Sequence, residues 1–225
     1  MDIKSNIDTI KAKLPEHVTL IAVSKTKPIS MLLDAYNAGQ RHFGENYVQE
    51  LVEKQELLPT DINWHFIGHL QSNKVKYIAP FVYLIHGVDS ISLLKEINKQ
   101  AIKNNRIINC LLQIYIAKEE SKFGLDAQEA ENLLISKEFS ELTHVNIVGL
   151  MGMATNTEDE TILHKEFESL NTLFKYLKAN IGNKPNLNLQ EISMGMSSDY
   201  EIAIEHGSTM IRVGSSIFGV RNYSQ

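Results

Sequence analysis

A lysine at the end of a buried strand is the first residue in this chain equipped for chemistry. In Leu20-Ile-Ala-Val-Ser-Lys-Thr-Lys-Pro28 four apolar residues, with Ile21 and Val23 β-branched, run into Ser24 and Lys25. Pro28 then forbids further strand pairing. In parallel α/β sheets and barrels, ligands collect at the carboxyl ends of strands. An amine held there, partly desolvated and close to the second cation of Lys27, gives up its proton more easily than a surface lysine. Such an amine can form an imine with an aldehyde or ketone. The alternative is a lysine that only snorkels out of the strand end.

Two further stretches suit an anion. Ile192-Ser-Met-Gly-Met-Ser-Ser-Asp199 and Ile211-Arg-Val-Gly-Ser-Ser-Ile-Phe-Gly219 each carry a strand into a helix start. Small residues let backbone N–H groups approach a phosphate, hydroxyls add donors, and a helix amino-terminus adds its dipole. Two ordinary helix caps would explain Ser198 but not the paired Gly-Ser clusters. Arg212 lies within a strand, so it needs a partner: Glu191, His65 or a ligand nitrogen. The anion-like loop that starts two residues later favours the ligand. His65 and His69, flanking Gly68, read as packing or loop residues. Met151, Met153, Met194 and Met196 could line a flat apolar ligand or fill core. Glu119, Glu120 and Lys122 read as a solvated loop edge.

The elements that must position these residues alternate. Strands are expected at 19–24, 41–46, 64–68, 81–86, 107–116, 145–151, 187–194 and 209–214. An amphipathic helix over 2–13, with Ile3, Ile7 and Ile10 on one face, precedes the first strand. Helices between strands are marked by Ser30 and Gly39, by Asp89 or Ser90, by Asp126 with Glu129, and by Ser198 with Glu201 and Gly207. The longest spans about 158–179, with Leu163, Phe167, Leu170, Phe174 and Leu177 as its apolar stripe. Eight β/α units joined by short loops predict a compact (β/α)8 barrel over residues 1–225, with the extra amino-terminal helix capping one end. An open doubly wound sheet would call for G-x-G-x-x-G after the first strand, and none follows it. The barrel puts Lys25, Asn46, His69, His86, Lys122, Met151, Ser193 to Ser197 and Arg212 to Ser216 on one rim.

Composition narrows the partners. The chain has 225 residues, is 43% hydrophobic and 22% charged, and carries a net charge of −5, which argues against nucleic-acid or membrane-surface binding. The one cysteine, Cys110, lies in an apolar run and reads as a core thiol. With no apolar leader, no membrane-length run and no internal disulfide, a cytoplasmic location is expected. The eight histidines show no H-x-x-x-H or H-E-x-x-H spacing, so no metal is expected.

Seven segments together resemble one family. They are Ile21-Ala-Val-Ser-Lys-Thr-Lys-Pro28, Phe43-Gly-Glu-Asn-Tyr-Val-Gln-Glu50, Trp64-His-Phe-Ile-Gly-His-Leu-Gln-Ser-Asn-Lys74, Lys122-Phe-Gly-Leu125, Gly149-Leu-Met-Gly-Met153, Ser193-Met-Gly-Met-Ser197 and Ile211-Arg-Val-Gly-Ser-Ser-Ile-Phe-Gly219. Over nearly the whole chain they are similar to the pyridoxal phosphate homeostasis proteins. The resemblance implies the fold-type III pyridoxal-phosphate barrel, akin to the amino-terminal domain of alanine racemase. It implies that Lys25 carries the cofactor as a Schiff base. Ser193, Gly214 and Ser215 would hold its phosphate with Ser197 beside them, Arg212 would face the pyridine nitrogen, and Asn46 would lie near the ring. Ser215 stands where threonine is frequent in the family, and keeps the hydroxyl. A guanidinium only donates, so it leaves the ring nitrogen unprotonated and the ring a poor electron sink.

Three functions remain in competition: a protein that holds and delivers pyridoxal 5'-phosphate without turnover, an amino-acid racemase, and a Schiff-base lyase acting on a sugar phosphate. Only six residues follow Gly219, so the second domain that completes a racemase site is expected to be missing. A racemase also needs a second acid/base on the opposite face of its substrate, for which Tyr47 and Tyr200 are the weak candidates. A lyase has no use for an arginine at a pyridine nitrogen. The first reading is preferred, with a monomer that passes its cofactor to pyridoxal-phosphate-dependent apoenzymes.

Overall fold

The computed structural model describes residues 2–117, 124–182 and 184–219. Among them, β1 (Thr19–Val23), β2 (His42–Glu45), β3 (Asn63–Phe66), β4 (Leu84–Val88), β5 (Ile108–Ile114), β6 (Val145–Gly152), β7 (Leu187–Ser193) and β8 (Met210–Val213) follow one another around a closed barrel. All pairings between these strands are parallel, and β1 closes on β8 with Leu20 opposite Ile211 and Ile21 opposite Arg212. The expected eight-stranded barrel is the fold.

The period of two along each strand separates two apolar cores. In β1, Leu20 and Ala22 join the large cluster beneath the helices. Ile21 belongs to a second cluster with Leu84, Leu111, Met151 and Met210, which fills the barrel interior. Two residues beyond Leu84 and Met210, on the same inward face, come His86 and Arg212, both buried. The interior therefore changes from apolar to polar on approaching the carboxyl ends of the strands.

The outer ring comprises α1 (Ile3–Lys11), α2 (Ile29–Asn37), α3 (Val48–Leu57), a 3-10 turn at 72–74 running into α4 (Val75–Ile78), α5 (Ile91–Lys103), α6 (Ala127–Ile135), α7 (Lys137–Ser140), α8 (Glu160–Asn180), α9 (Tyr200–Glu205) and α10 (Ser215–Phe218). Among the described residues no helix is long and apolar enough to cross a membrane. The α8 stripe Leu163, Phe167, Leu170, Phe174 and Leu177 is buried as its spacing requires. Asp126 and Glu129 make a reciprocal capping box at the start of α6.

Several boundaries differ from expectation for local reasons. Helix α1 does not close an end of the barrel: Ile3, Ile7 and Ile10 join the outer core, and the helix packs against α2 and α10. Pro28, not Ser30, precedes α2, its φ of −68° already set for a chain entering a helix. Strand β4 starts at Leu84 because the Phe81 and Val82 N–H groups bond back to the Ile78 carbonyl and prolong the turn. The capping box expected of Ser198 and Glu201 is absent. Asp199 precedes α9, and Glu201 pairs with Lys13 at 2.9 Å instead.

Candidate functional site

A cavity of about 340 Å³ opens at the carboxyl ends of the strands. It is lined by Val23, Lys25, Lys27, Asn46, Ile67, Met153, Met196, Ser197, Ser198, Arg212, Gly214, Ser215 and Gly219. Six of the seven residues selected from sequence, Lys25, Asn46, Ser197, Arg212, Gly214 and Ser215, thus share one chamber, contributed by β1, β2, β7, β8 and the loops after them. Its size suits a small organic ligand.

On one side lie the loops after β7 and β8. Gly195 has φ +94°, and a Cβ there would sit 2.7 Å from the Ala203 Cβ and 2.9 Å from the Tyr200 Cα. Only glycine lets the chain turn this tightly against α9. The turn aims the Gly195 carbonyl at the Arg212 N–H, 2.9 Å away, tying the loop to β8. The two loops also meet where the Gly214 N–H donates to Ser197 Oγ at 3.3 Å. Asp199 accepts the Met196 N–H at 2.5 Å, and burial raises its carboxyl while Arg212 opposes the shift.

Beneath Lys25 is a buried ionic cluster. Lys54, from α3, donates to the Ser24 carbonyl at 2.7 Å, to Glu45 Oε1 at 2.7 Å and to Glu50 Oε1 at 2.6 Å. The Ser24 hydroxyl adds a bond to Glu45 Oε1 at 2.6 Å. Burial pushes the Glu45 carboxyl up to about 7, against the pull of Lys54. Glu50 also accepts the Thr26 N–H at 2.6 Å. Thr26 holds φ 63°, a left-handed conformation that a β-branched residue adopts only under constraint. The residues on both sides of Lys25 are therefore fixed by α3, which orients the lysine. On its other side Lys27 donates to the Phe218 and Gly219 carbonyls at 3.2 and 3.0 Å.

Arg212 forms the floor. Its Nη1 donates to Ser193 Oγ at 2.6 Å and its Nη2 to the Gly152 carbonyl at 2.9 Å. Neither Glu191 nor His65, the protein partners considered from sequence, takes that place: Glu191 bonds Thr209 at 2.6 Å and His65 bonds two other histidines at 2.9 Å. Burial pushes the guanidinium down to about 10, and Asp199 supports its charge. Ser193, expected beside a phosphate, does not line the cavity: it is fully buried, with its hydroxyl between Arg212 and His86.

Asn46 Oδ1 is buried without a hydrogen-bond partner, on a residue that lines the chamber. A ligand hydroxyl or N–H would satisfy it. Met153 and Met196 line the cavity, whereas Met151 and Met194 are buried core. The Cys110 thiol is buried, which pushes its pKa up and leaves it inert. Glu119, Glu120, Lys122 and the start of Lys122-Phe-Gly-Leu125 lie outside the described residues. Sequence reasoning missed Glu45 and Lys54; it read His65 as packing and set His86 on the rim, whereas His86 is fully buried against His65 and Ser193. The Glu45-Asn46 pair at a strand end was the available signal for Glu45.

Comparison with known proteins places the chain. Residues 1–222 match the family model of the alanine racemase amino-terminal domain. The pyridoxal phosphate homeostasis protein of Haemophilus influenzae is 40% identical over 100% of this chain and 98% of its own length. That of Escherichia coli K12 is 37% identical over 100% and 99%. Among solved structures, PipY of Synechococcus elongatus superposes with a TM-score of 0.89 without PLP and 0.86 with PLP bound, at 37% identity, covering 96% of this chain and 100% of PipY. Alanine racemase of Clostridium difficile, 14% identical, shares the fold at a TM-score of 0.81 over 99% of this chain and 58% of its own. With the barrel, the strand-end lysine and full-length similarity in agreement, the chain belongs to the pyridoxal phosphate homeostasis protein family.

Proposed function

We propose that this chain binds pyridoxal 5'-phosphate as a Schiff base on Lys25 and serves intracellular homeostasis of that cofactor by buffering and delivery, without sustained turnover. The observation that carries the reading is one chamber holding an amine, two joined Gly-Ser loops and a guanidinium on its floor. The family's name and the cofactor-bound PipY support it. When bound, the cofactor supplies an aldehyde that condenses with an amine, releasing water, and returns on hydrolysis.

Each side chain then has a task. Lys25 holds the aldehyde carbon, and α3 keeps it in place through Ser24 and Thr26. Ser197, Gly214 and Ser215 face the phosphate. Arg212 donates to the ring nitrogen, and Ser193 steadies Arg212 from below rather than touching the phosphate. The orphaned Asn46 oxygen accepts from the ring substituent beside it.

A carrier fits better than a racemase because, among the described residues lining the chamber, there is no carboxylate, imidazole, phenol or thiol. A second acid/base opposite Lys25 is what racemisation requires. Tyr47, 59% exposed, is not among them, and Tyr200 is turned toward Glu201 at 3.3 Å. We take the protein to act as a cytoplasmic monomer whose recipients are pyridoxal-phosphate-dependent apoenzymes. The test is incubation of the loaded protein with amino acids in deuterated water, in parallel with an apoenzyme. Restored apoenzyme activity without deuterium at Cα is expected. Sustained deuterium incorporation would replace the carrier with an enzyme.

A further inference from the structure

Three imidazoles and a hydroxyl run in single file through the barrel, from the amino-terminal ends of the strands to the floor of the cavity. Asn63 Nδ2 lies 3.3 Å from His42 Nε2, and His42 Nδ1 lies 2.9 Å from His65 Nε2. His65 Nδ1 is 2.9 Å from His86 Nε2, and His86 Nδ1 is 2.9 Å from Ser193 Oγ. Each ring turns Nε2 downward and Nδ1 upward. His65 and His86 are fully buried and His42 is half-buried, and burial holds all three below the usual imidazole range.

A neutral imidazole has one N–H and one bare nitrogen. A bond between two such rings therefore makes the tautomer of one dictate that of the next, and the file has only two polarities. Arg212 selects between them. A guanidinium can only donate, so Ser193 Oγ accepts from Nη1, and the serine proton is directed to His86 Nδ1. That bond puts the His86 proton on Nε2, then the His65 proton on Nε2, then the His42 proton on Nε2. His42 donates in turn to Asn63, once its amide presents Oδ1. The reverse polarity would aim a His86 N–H at Ser193 and take this acceptor from the buried serine proton.

We infer that His42, His65 and His86 form a polarised relay that orients Ser193, and through it Arg212, from the far end of the barrel. None of the three lines the cavity, so they are positioning residues. The groups facing the relay are Lys11 from α1 on His42, the Tyr83 ring against His42 and His65, and Arg212 with Asp199 at the upper end. Removing His42 strands the buried His65 Nε2–H. The file escapes that cost by reversing, which turns the His86 N–H onto Ser193 and disturbs Arg212. The effect on a bound cofactor rests on the reading of Arg212 given above, whereas the relay itself does not.

Protein labelled with nitrogen-15 in its histidines, without added cofactor, reveals each ring's tautomer in long-range nitrogen–proton correlation spectra. The expected result is Nε2–H on His42, His65 and His86. An Nδ1–H or doubly protonated ring among the three at neutral pH overturns the proposal, and no variant is needed to see it. In His42→Phe, His86 should switch to Nδ1–H although the His65 ring separates the sites. A folded variant with His86 unchanged overturns the propagation. After addition of pyridoxal 5'-phosphate, His42→Phe should bind it severalfold more weakly and shift its visible absorbance while Lys25 is still labelled on borohydride reduction. Switched tautomers with unchanged affinity and absorbance overturn the link to Arg212. Failure of even the unaltered protein to label at Lys25 overturns the cofactor reading instead, and the tautomers then judge the relay alone.

Discussion

Lys54 Nζ lies 2.7 Å from Glu45 Oε1 with both side chains buried, and the same ammonium holds the Ser24 carbonyl at 2.7 Å. A helix of the outer ring thereby fixes the last residue before Lys25. Removing one partner of such a pair leaves an uncompensated buried charge. Lys54→Met should therefore destabilise the protein by about 3–5 kcal/mol in urea unfolding. Adding Glu45→Gln should restore part of the loss, because the orphaned carboxylate is then gone. Additive losses in the double variant would mean the two side chains do not act as a pair.

Glu45 also gives the fold a pH dependence of defined sign. Its carboxyl stands at about 7 in the folded protein against an ordinary 4.5. The folded state therefore binds this proton more tightly than the unfolded state. The stabilisation is complete below pH 4.5, declines as pH rises through 7, and is lost above. Its ceiling is about 3 kcal/mol. Urea midpoints of the wild type and Glu45→Gln across this range should diverge as pH rises, the wild type falling relative to the variant. Parallel curves would contradict the assignment.

The loop after β7 depends on Gly195. Its φ of +94° and the 2.7 Å approach to the Ala203 Cβ leave no room for a methyl group. Gly195→Ala should cost on the order of 1–3 kcal/mol in thermal or urea unfolding. It should also weaken uptake of pyridoxal 5'-phosphate, since the displaced loop carries Ser197 away from Gly214. Unchanged affinity with reduced stability would separate the loop from the site.

Much of this was legible in the sequence because it is written locally. Buried strands with β-branched residues, helix stripes and the Gly-Ser loops all announce themselves within a few positions, and Lys25 follows a strand by one residue. Register could not be read the same way. Whether Ser193 meets a ligand or Arg212 depends on β7 lying beside β8, with Ser193 opposite Met210, two residues before Arg212. The histidine file joins β2, β3, β4 and β7, and the pairing that aligns His42, His65 and His86 spans long sequence separations. Lys54 hid for another reason: on an otherwise charged helix face, a lysine reads as solvated until its three acceptors are seen around it.

Arg212 uses both arms of its guanidinium, one on Ser193 and one on the Gly152 carbonyl. An ammonium cannot reproduce that fork. Arg212→Lys should keep the barrel folded yet lower affinity for pyridoxal 5'-phosphate by on the order of tenfold, measured by equilibrium titration of absorbance. Equal affinity would remove Arg212 from the site.

The most direct measurement concerns Lys25 itself. Protein loaded with pyridoxal 5'-phosphate, reduced with borohydride and digested, should yield one pyridoxyl-bearing peptide, modified on Lys25. The Lys25→Ala variant should be colourless and unlabelled after the same treatment. A label placed on another lysine, or a Lys25→Ala variant that takes up the cofactor as the wild type does, would contradict Lys25 as the residue that holds it.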